Sequence, residues 1–144
     1  MSHLQYFAYK GFGEESRKST WYSQAVRVGD RIEISGQGGW DPLTSNLRAD
    51  LADEIDQAFA NVDLALKDAG GKGWSQVYKI NMYAVDLLSE EGTALVIGNL
   101  KKWLPDHQPL LTFVGVKELA FGMRIEIEVV AHDEQTAKTS VISS

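Results

Sequence analysis

From Met123 to His132 an apolar set of residues alternates with a mostly polar one. Met123, Ile125, Ile127, Val129 and Ala131 fall on one side, and Arg124, Glu126, Glu128, Val130 and His132 on the other. Period two with one apolar face predicts a half-buried β-strand. Upstream, Pro109–Val116 reads as the strand paired with it, through a connection at 117–122. Val77–Val85 is another strand, with Tyr78, Ile80, Met82 and Ala84 on one face and Val77, Lys79, Asn81, Tyr83 and Val85 on the other. Elsewhere the period lengthens. Leu51, Ile55, Ala58, Phe59, Val62, Ala65 and Leu66 form one stripe at three- and four-residue spacing, which predicts a helix over Asp50–Ala69. Asp50 is placed to cap it, Asp53 and Glu54 sit in the first turn, and Gly70-Gly71 ends it. A second helix is capped by Ser89, buries Leu95, Val96, Leu100, Trp103 and Leu104, and stops at Pro105. Trp21–Val28 and Arg31–Gly36 read as a hairpin about Gly29-Asp30, with glycine where a type II′ turn wants it. Residues 4–9 suit a short first strand, and the polar stretch Gly11–Thr20 reads as a loop.

The order is hairpin, helix, strand, helix, two strands: an α+β ββαβαββ domain over residues 1–132, with both helices on one face of a mixed sheet. After His132 the chain turns small and polar, so 133–144 reads as a loosely ordered tail. The uncovered sheet face would carry Lys79, Asn81, Tyr83 and the glutamates. Such a face predicts a homo-oligomer whose sheets meet.

At 144 residues the chain is long enough for one domain with its own core. Its formal charge of −6 without a basic stripe argues against a nucleic-acid partner. The absence of cysteine removes disulfides, thiolate catalysis and cysteine metal sites. No apolar run reaches the length of a membrane span, and the N-terminal stretch lacks a signal-peptide core, so a cytoplasmic location is expected. No metal-ligand spacing and no phosphate or dinucleotide motif is present, so no metal or cofactor is expected.

The candidate chemistry is carried by two carboxylates, Glu126 and Glu128, at i and i+2 on one strand face. On a face lining a cleft, one of them is a candidate acid–base group; on a wet face both are solvated charges. Gly36-Gln37-Gly38-Gly39 ends a strand. It either presents N–H groups to a ligand or is a tight exit loop.

Several pieces resemble the Rid family, also called the YjgF, YER057c or UK114 family. They are Tyr22-Ser-Gln-Ala-Val, Gly29-Asp30, Ile34-Ser-Gly-Gln37, Gln57–Val62, Val77–Leu87, Pro109 and Ile125–Ala131, in the right order over residues 20–132. The resemblance implies a chorismate-mutase-like fold and a homotrimer whose sheets wall a central barrel. Small-molecule ligands would lie in clefts between subunits, and the implied activity is hydrolysis of reactive 2-imino and enamino acids with release of ammonia. Older descriptions call some members ribonucleases.

Carried over by position, the resemblance makes Glu126 the water-holding carboxylate, Tyr22 the hairpin tyrosine and Gly36 the turn glycine, with a backbone contact at Phe113. The arginine of the family's Pro-x-Arg-Ser/Thr segment is absent: Leu111 stands there, followed by Thr112. That arginine grips a substrate carboxylate in the family, and burying a carboxylate against leucine costs on the order of several kcal/mol. A more neutral or apolar ligand is expected, touching Leu111, Phe113 and Trp40, with Trp40 near the cleft mouth. Arg124 shares a strand face with Glu126 and is a candidate substitute for the arginine. His107, beside the strand entering the cleft, is a candidate acid–base group. The expected function is hydrolysis of an imine or enamine that is not a 2-imino carboxylic acid. The alternatives are a non-catalytic trimer binding a metabolite or protein, and a ribonuclease.

Overall fold

A computed structural model describes residues 1–86 and 89–134. In chain order the elements are β1 (Gln5–Phe7), α1 (Phe12–Ser19), β2 (Ala25–Val28), β3 (Arg31–Ile34), α2 (Leu51–Asp68), β4 (Val77–Ala84), α3 (Glu90–Trp103), β5 (Leu110–Gly115) and β6 (Ile125–His132). They build one six-stranded mixed sheet in the order β1-β2-β3-β6-β4-β5. The architecture is the expected α+β, chorismate-mutase-like one.

α2 forms where the apolar stripe lies, and Ile55, Ala58, Phe59, Val62, Ala65 and Leu66 are sealed against the sheet. Facing them are Ile80, Met82, Ile125, Ile127 and Val129, the inward positions of β4 and β6. Asp50 occupies the N-cap position of α2, but its side chain makes no capping bond. Ser89 does cap α3, accepting a hydrogen bond from Gly92 N at 3.2 Å. In the β2–β3 turn Gly29 takes the positive φ of 60° that a type II′ turn needs at its first central position.

Three expectations need correcting. Gly11–Thr20 is not a loop: Phe12–Ser19 is helical. Its one large apolar residue, Phe12, leaves no periodicity to read, although Glu14 and Glu15 in the first turn and Arg17 and Lys18 in the last match the helix dipole. Nor are the last two strands neighbours. α3 carries the chain back so that β5 lies parallel to β4, and β6 inserts between β3 and β4. Finally, Tyr78 does not share the face of Ile80. A register shift between Val77 and Lys79 turns it outward, leaving it exposed while Val77 is buried.

Asp133 belongs to the folded body: it is buried and paired with Arg27 at 2.8 Å. Residues 135–144 of the expected tail lie outside the described residues.

The sheet face turned away from α2 carries two cross-strand rows. Register places Glu126, Tyr83 and Val114 in one, and Glu128, Asn81 and Thr112 in the next. At the β5 edge Leu110, Leu111 and Val114 are exposed.

Candidate active site

Glu126 projects from β6 toward the segment that leaves β3. Gln37 closes a two-bond bridge with Ile127, its N–H donating to Ile127 O at 2.8 Å and its carbonyl accepting from Ile127 N at 2.9 Å. The bridge sets Gly36 directly against the Glu126 side chain. A Cβ on Gly36 would lie 2.6 Å from Glu126 Cγ and Cδ, inside van der Waals contact. Any side chain at 36 would therefore have to displace the carboxylate.

The rest of the glycine run is equally tight. A Cβ at Gly38 would overlap Met123 and the Trp40 ring, and one at Gly39 would overlap the Glu54 backbone. Asn61 Nδ2 donates to the carbonyls of Gly38 and Trp40, both at 2.8 Å. The segment is thus a fixed, closely packed backbone, as a tight exit loop would be, and the Gln37 N–H is spent on Ile127.

Above it opens a cavity of about 640 Å³. Phe12 and Trp40 form its floor, stacked with ring centroids 3.8 Å apart. The outer turn of α1, with Glu15, Ser16 and Ser19, makes one wall. Tyr22, Gly36 and Glu126 make another, and Met123 and Phe121 close the far side. Below the floor a buried relay of hydrogen bonds fixes the aromatic pair. Trp40 Nε1 donates to Tyr9 Oη at 3.0 Å, Tyr9 Oη donates to Gln37 Oε1 at 2.8 Å, and Gln37 Nε2 donates to Gln24 Oε1 at 2.8 Å. Burial holds the Tyr9 hydroxyl well above its ordinary pKa, so it stays a neutral donor.

The two glutamates differ in environment. Glu128 accepts from Tyr83 Oη at 2.8 Å and Asn81 Nδ2 at 3.1 Å. Tyr83 is in turn pushed upward in pKa, first by that hydrogen bond and then by burial. Glu126 has no cationic partner among the described residues. Burial raises its carboxyl above the ordinary range, and the Glu128 charge adds to the effect. A half-buried carboxyl that holds its proton more tightly than usual, on a cavity wall, is a candidate for proton transfer.

Of the expected site residues, the structure brings Tyr22, Gly36, Trp40 and Glu126 together around this cavity. Trp40 is not at the mouth: it is buried to 3% exposure, its N–H taken by Tyr9. Arg124 is not available as a substitute anion grip. Its Nε donates to the fully buried Glu54 Oε1 at 2.6 Å, its backbone N to Oε2 at 2.7 Å, and a terminal nitrogen to Ala49 O at 2.7 Å. His107 Nε2 lies 2.7 Å from Val77 O and lines a separate groove under α3. Leu111 lines that same groove, and Thr112 and Phe113 follow it along β5, so within one protomer none of these reaches Glu126. Sequence reasoning missed Phe12, Glu15, Phe121 and Met123. The exposed Phe121, held at φ 61° before Gly122, had a signal in its Phe-Gly pair.

A mixed six-stranded sheet with three helices, and a glycine-backed carboxylate in a cleft beside it, is the architecture of small α+β domains with the chorismate-mutase-like fold. The chain belongs to the family described as Endoribonuclease L-PSP, the YjgF/RidA/UK114 or Rid family, whose model matches residues 14–133. It is 36% identical over 110 residues to a RutC family protein of Aquifex aeolicus, covering 76% of this chain and 86% of that one. It is 37% identical over 111 residues to the human 2-iminobutanoate/2-iminopropanoate deaminase, covering 76% and 78%. Among solved structures it resembles RidA from the Antarctic bacterium Psychrobacter sp. PAMC 21119. The TM-score is 0.72 and the identity 30%, over 92% of this chain and 99% of that one. Among the described residues no helix is long and apolar enough to cross a membrane.

Proposed function

We propose that this protein is a homotrimeric hydrolase of a reactive imine or enamine that lacks a carboxylate next to the reacting carbon. The observation that carries the reading is the Glu126 carboxyl, raised in pKa and held against Gly36 in the cavity wall. In the reaction the carboxylate of Glu126 takes a proton from water as the water oxygen bonds to the C=N carbon. The same proton passes to the nitrogen of the resulting aminol. As the C–N bond breaks, the aminol hydroxyl returns a proton to the Glu126 carboxylate, ammonia leaves and a carbonyl remains. An enamine joins this route once its carbon is protonated to the iminium.

The trimer is supported by the uncovered sheet face and by the apolar β5 edge, where Leu110 and Leu111 are exposed. In such an assembly the cleft would be completed by a neighbouring β5 bearing Leu111, Thr112 and Phe113. Leucine at that position supports a substrate without an anionic head, unlike the 2-imino acids in the names of the deaminase relatives. It also favours the second reading, a ligand-binding trimer without catalysis. The nuclease in the family's description has no counterpart in this reading, because the chain carries −6 and presents no phosphate-binding stripe.

The test is ammonia release from a panel of neutral imines and enamines by the wild type and Glu126→Ala, with light scattering of the same samples. The expected outcome is a mass three times the 16.0 kDa protomer and a wild-type rate well above buffer that the variant loses. Wild type no faster than buffer across the panel removes the catalytic reading and leaves the binding one.

A further inference from the structure

Sorted by charge, the cavity lining has a simple composition. Two carboxylates, Glu15 on α1 and Glu126 on β6, line it, and no Lys, Arg or His of the same protomer does so among the described residues. The nearby arginine that could have balanced them, Arg124, is consumed by Glu54 and the Ala49 carbonyl. The remaining surface is largely aromatic and apolar. The Phe12–Trp40 stack lies at the bottom, Met123 beside it, and Phe121 stands at the rim 76% exposed. Phe121 is held there by a left-handed backbone, φ 61°, that a bulky side chain rarely adopts. Phe121 thus adds a large exposed aromatic face to the cavity lining.

We infer that the cleft is built for an apolar organic cation: an iminium or amine carrying an aromatic or aliphatic body, with its positive nitrogen toward Glu126 and Glu15 and its body on the aromatic floor. Aromatic faces attract cations, and two carboxylates in a partly desolvated cleft add a field of the same preference. An anion of the same shape meets both carboxylates and no compensating donor cation, so the cleft discriminates by sign of charge as well as by shape. This inference rests on the imine-handling reading above and narrows its substrate class: the form captured is the protonated imine, whose carbon is also the more electrophilic one.

The test is equilibrium binding and does not require turnover. Calorimetric titration of the full chain would use three probes of similar shape: benzyltrimethylammonium, benzyl alcohol and benzoate. The cation is expected to bind at least tenfold more tightly than the alcohol and to weaken with added salt, with benzoate the weakest. Glu15→Gln, an exposed helix position that leaves folding intact, should weaken the cation several-fold and leave the alcohol within about twofold. Phe121→Ala should weaken the cation and the alcohol alike. Benzoate binding as tightly as the cation, no binding of the cation, or a cation affinity unmoved in Glu15→Gln/Glu126→Gln overturns the inference. Cation binding that behaves as expected, in a protein that releases no ammonia from any imine, strikes the hydrolytic reading alone.

Discussion

Gly36 and Glu126 are in direct contact across 90 residues of sequence: the α-carbon of one forms the backing against which the carboxylate of the other rests. The Gln37–Ile127 bridge beside them sets the spacing, so the contact is a property of the sheet register and not of a flexible side chain finding a place. A methyl group at 36 therefore has to push the carboxylate away. Because Glu126 can swing toward the open cavity, the fold should absorb Gly36→Ala with a loss of about 1 kcal/mol or less. The displaced carboxylate should lower turnover on the order of 10²-fold. Urea unfolding and steady-state rates on the same sample separate the two effects.

The raised pKa of Glu126 has a signed consequence for stability. Its folded-state pKa lies above the unfolded one. Between the two values the native state binds more protons, so stability falls as pH rises through this window. Glu126→Gln, which cannot ionise, should melt at a higher temperature than wild type at neutral pH. The gap should close as pH falls below the ordinary glutamate range. Melting curves between pH 4 and 8 check it, and a gap that widens in acid contradicts it.

Arg124 and Glu54 give the largest expected stability effect. Glu54 is fully buried, and Arg124 supplies both its ion pair and a backbone hydrogen bond. Arg124→Met leaves an uncompensated carboxylate and should cost about 3–5 kcal/mol. Pairing it with Glu54→Gln should recover much of that loss. If Arg124→Met instead left unfolding unchanged and reduced only ligand binding, Arg124 would belong to the cleft.

How far the residues disclose this site depends on the range of the interaction. The two faces of β6 were legible because alternation is local, and α2 because its stripe is unbroken for four turns. α1 was not, since a helix with one large apolar side chain has no period. Strand order was not legible either: a period-two pattern says that a strand has a buried face and not which strand it pairs with, so β5 and β6 read as neighbours. Glu126 and Gly36 could be nominated through the family resemblance, but the engagement of Arg124 by Glu54 joins residues 70 positions apart and leaves no local trace. Trp40 was misplaced for a related reason. Its burial depends on Phe12 from the unrecognised helix and on Tyr9 beneath it.

Tyr9 links the floor of the cavity to the Gly36 segment through Trp40 and Gln37. Tyr9→Phe leaves the indole N–H and the Gln37 side-chain Oε1 without the hydroxyl they share and should cost about 1–3 kcal/mol. Because Trp40 loses its anchor, tryptophan fluorescence of the folded variant should shift as well. A variant as stable as wild type with an unchanged spectrum would show that the relay does not hold the floor.

The central claim is that Glu126 moves the proton in hydrolysis of an imine without a carboxylate. It is tested most directly by ammonia release from two imines that differ only in a carboxylate on the reacting carbon, with wild type and Glu126→Gln side by side. Wild type is expected to turn over the carboxylate-free member at least tenfold faster. Glu126→Gln should reduce that rate by about 10²-fold or more and remove the acidic limb of its pH profile. A wild type that prefers the carboxylate-bearing imine, or a Glu126→Gln variant as fast as wild type, contradicts it.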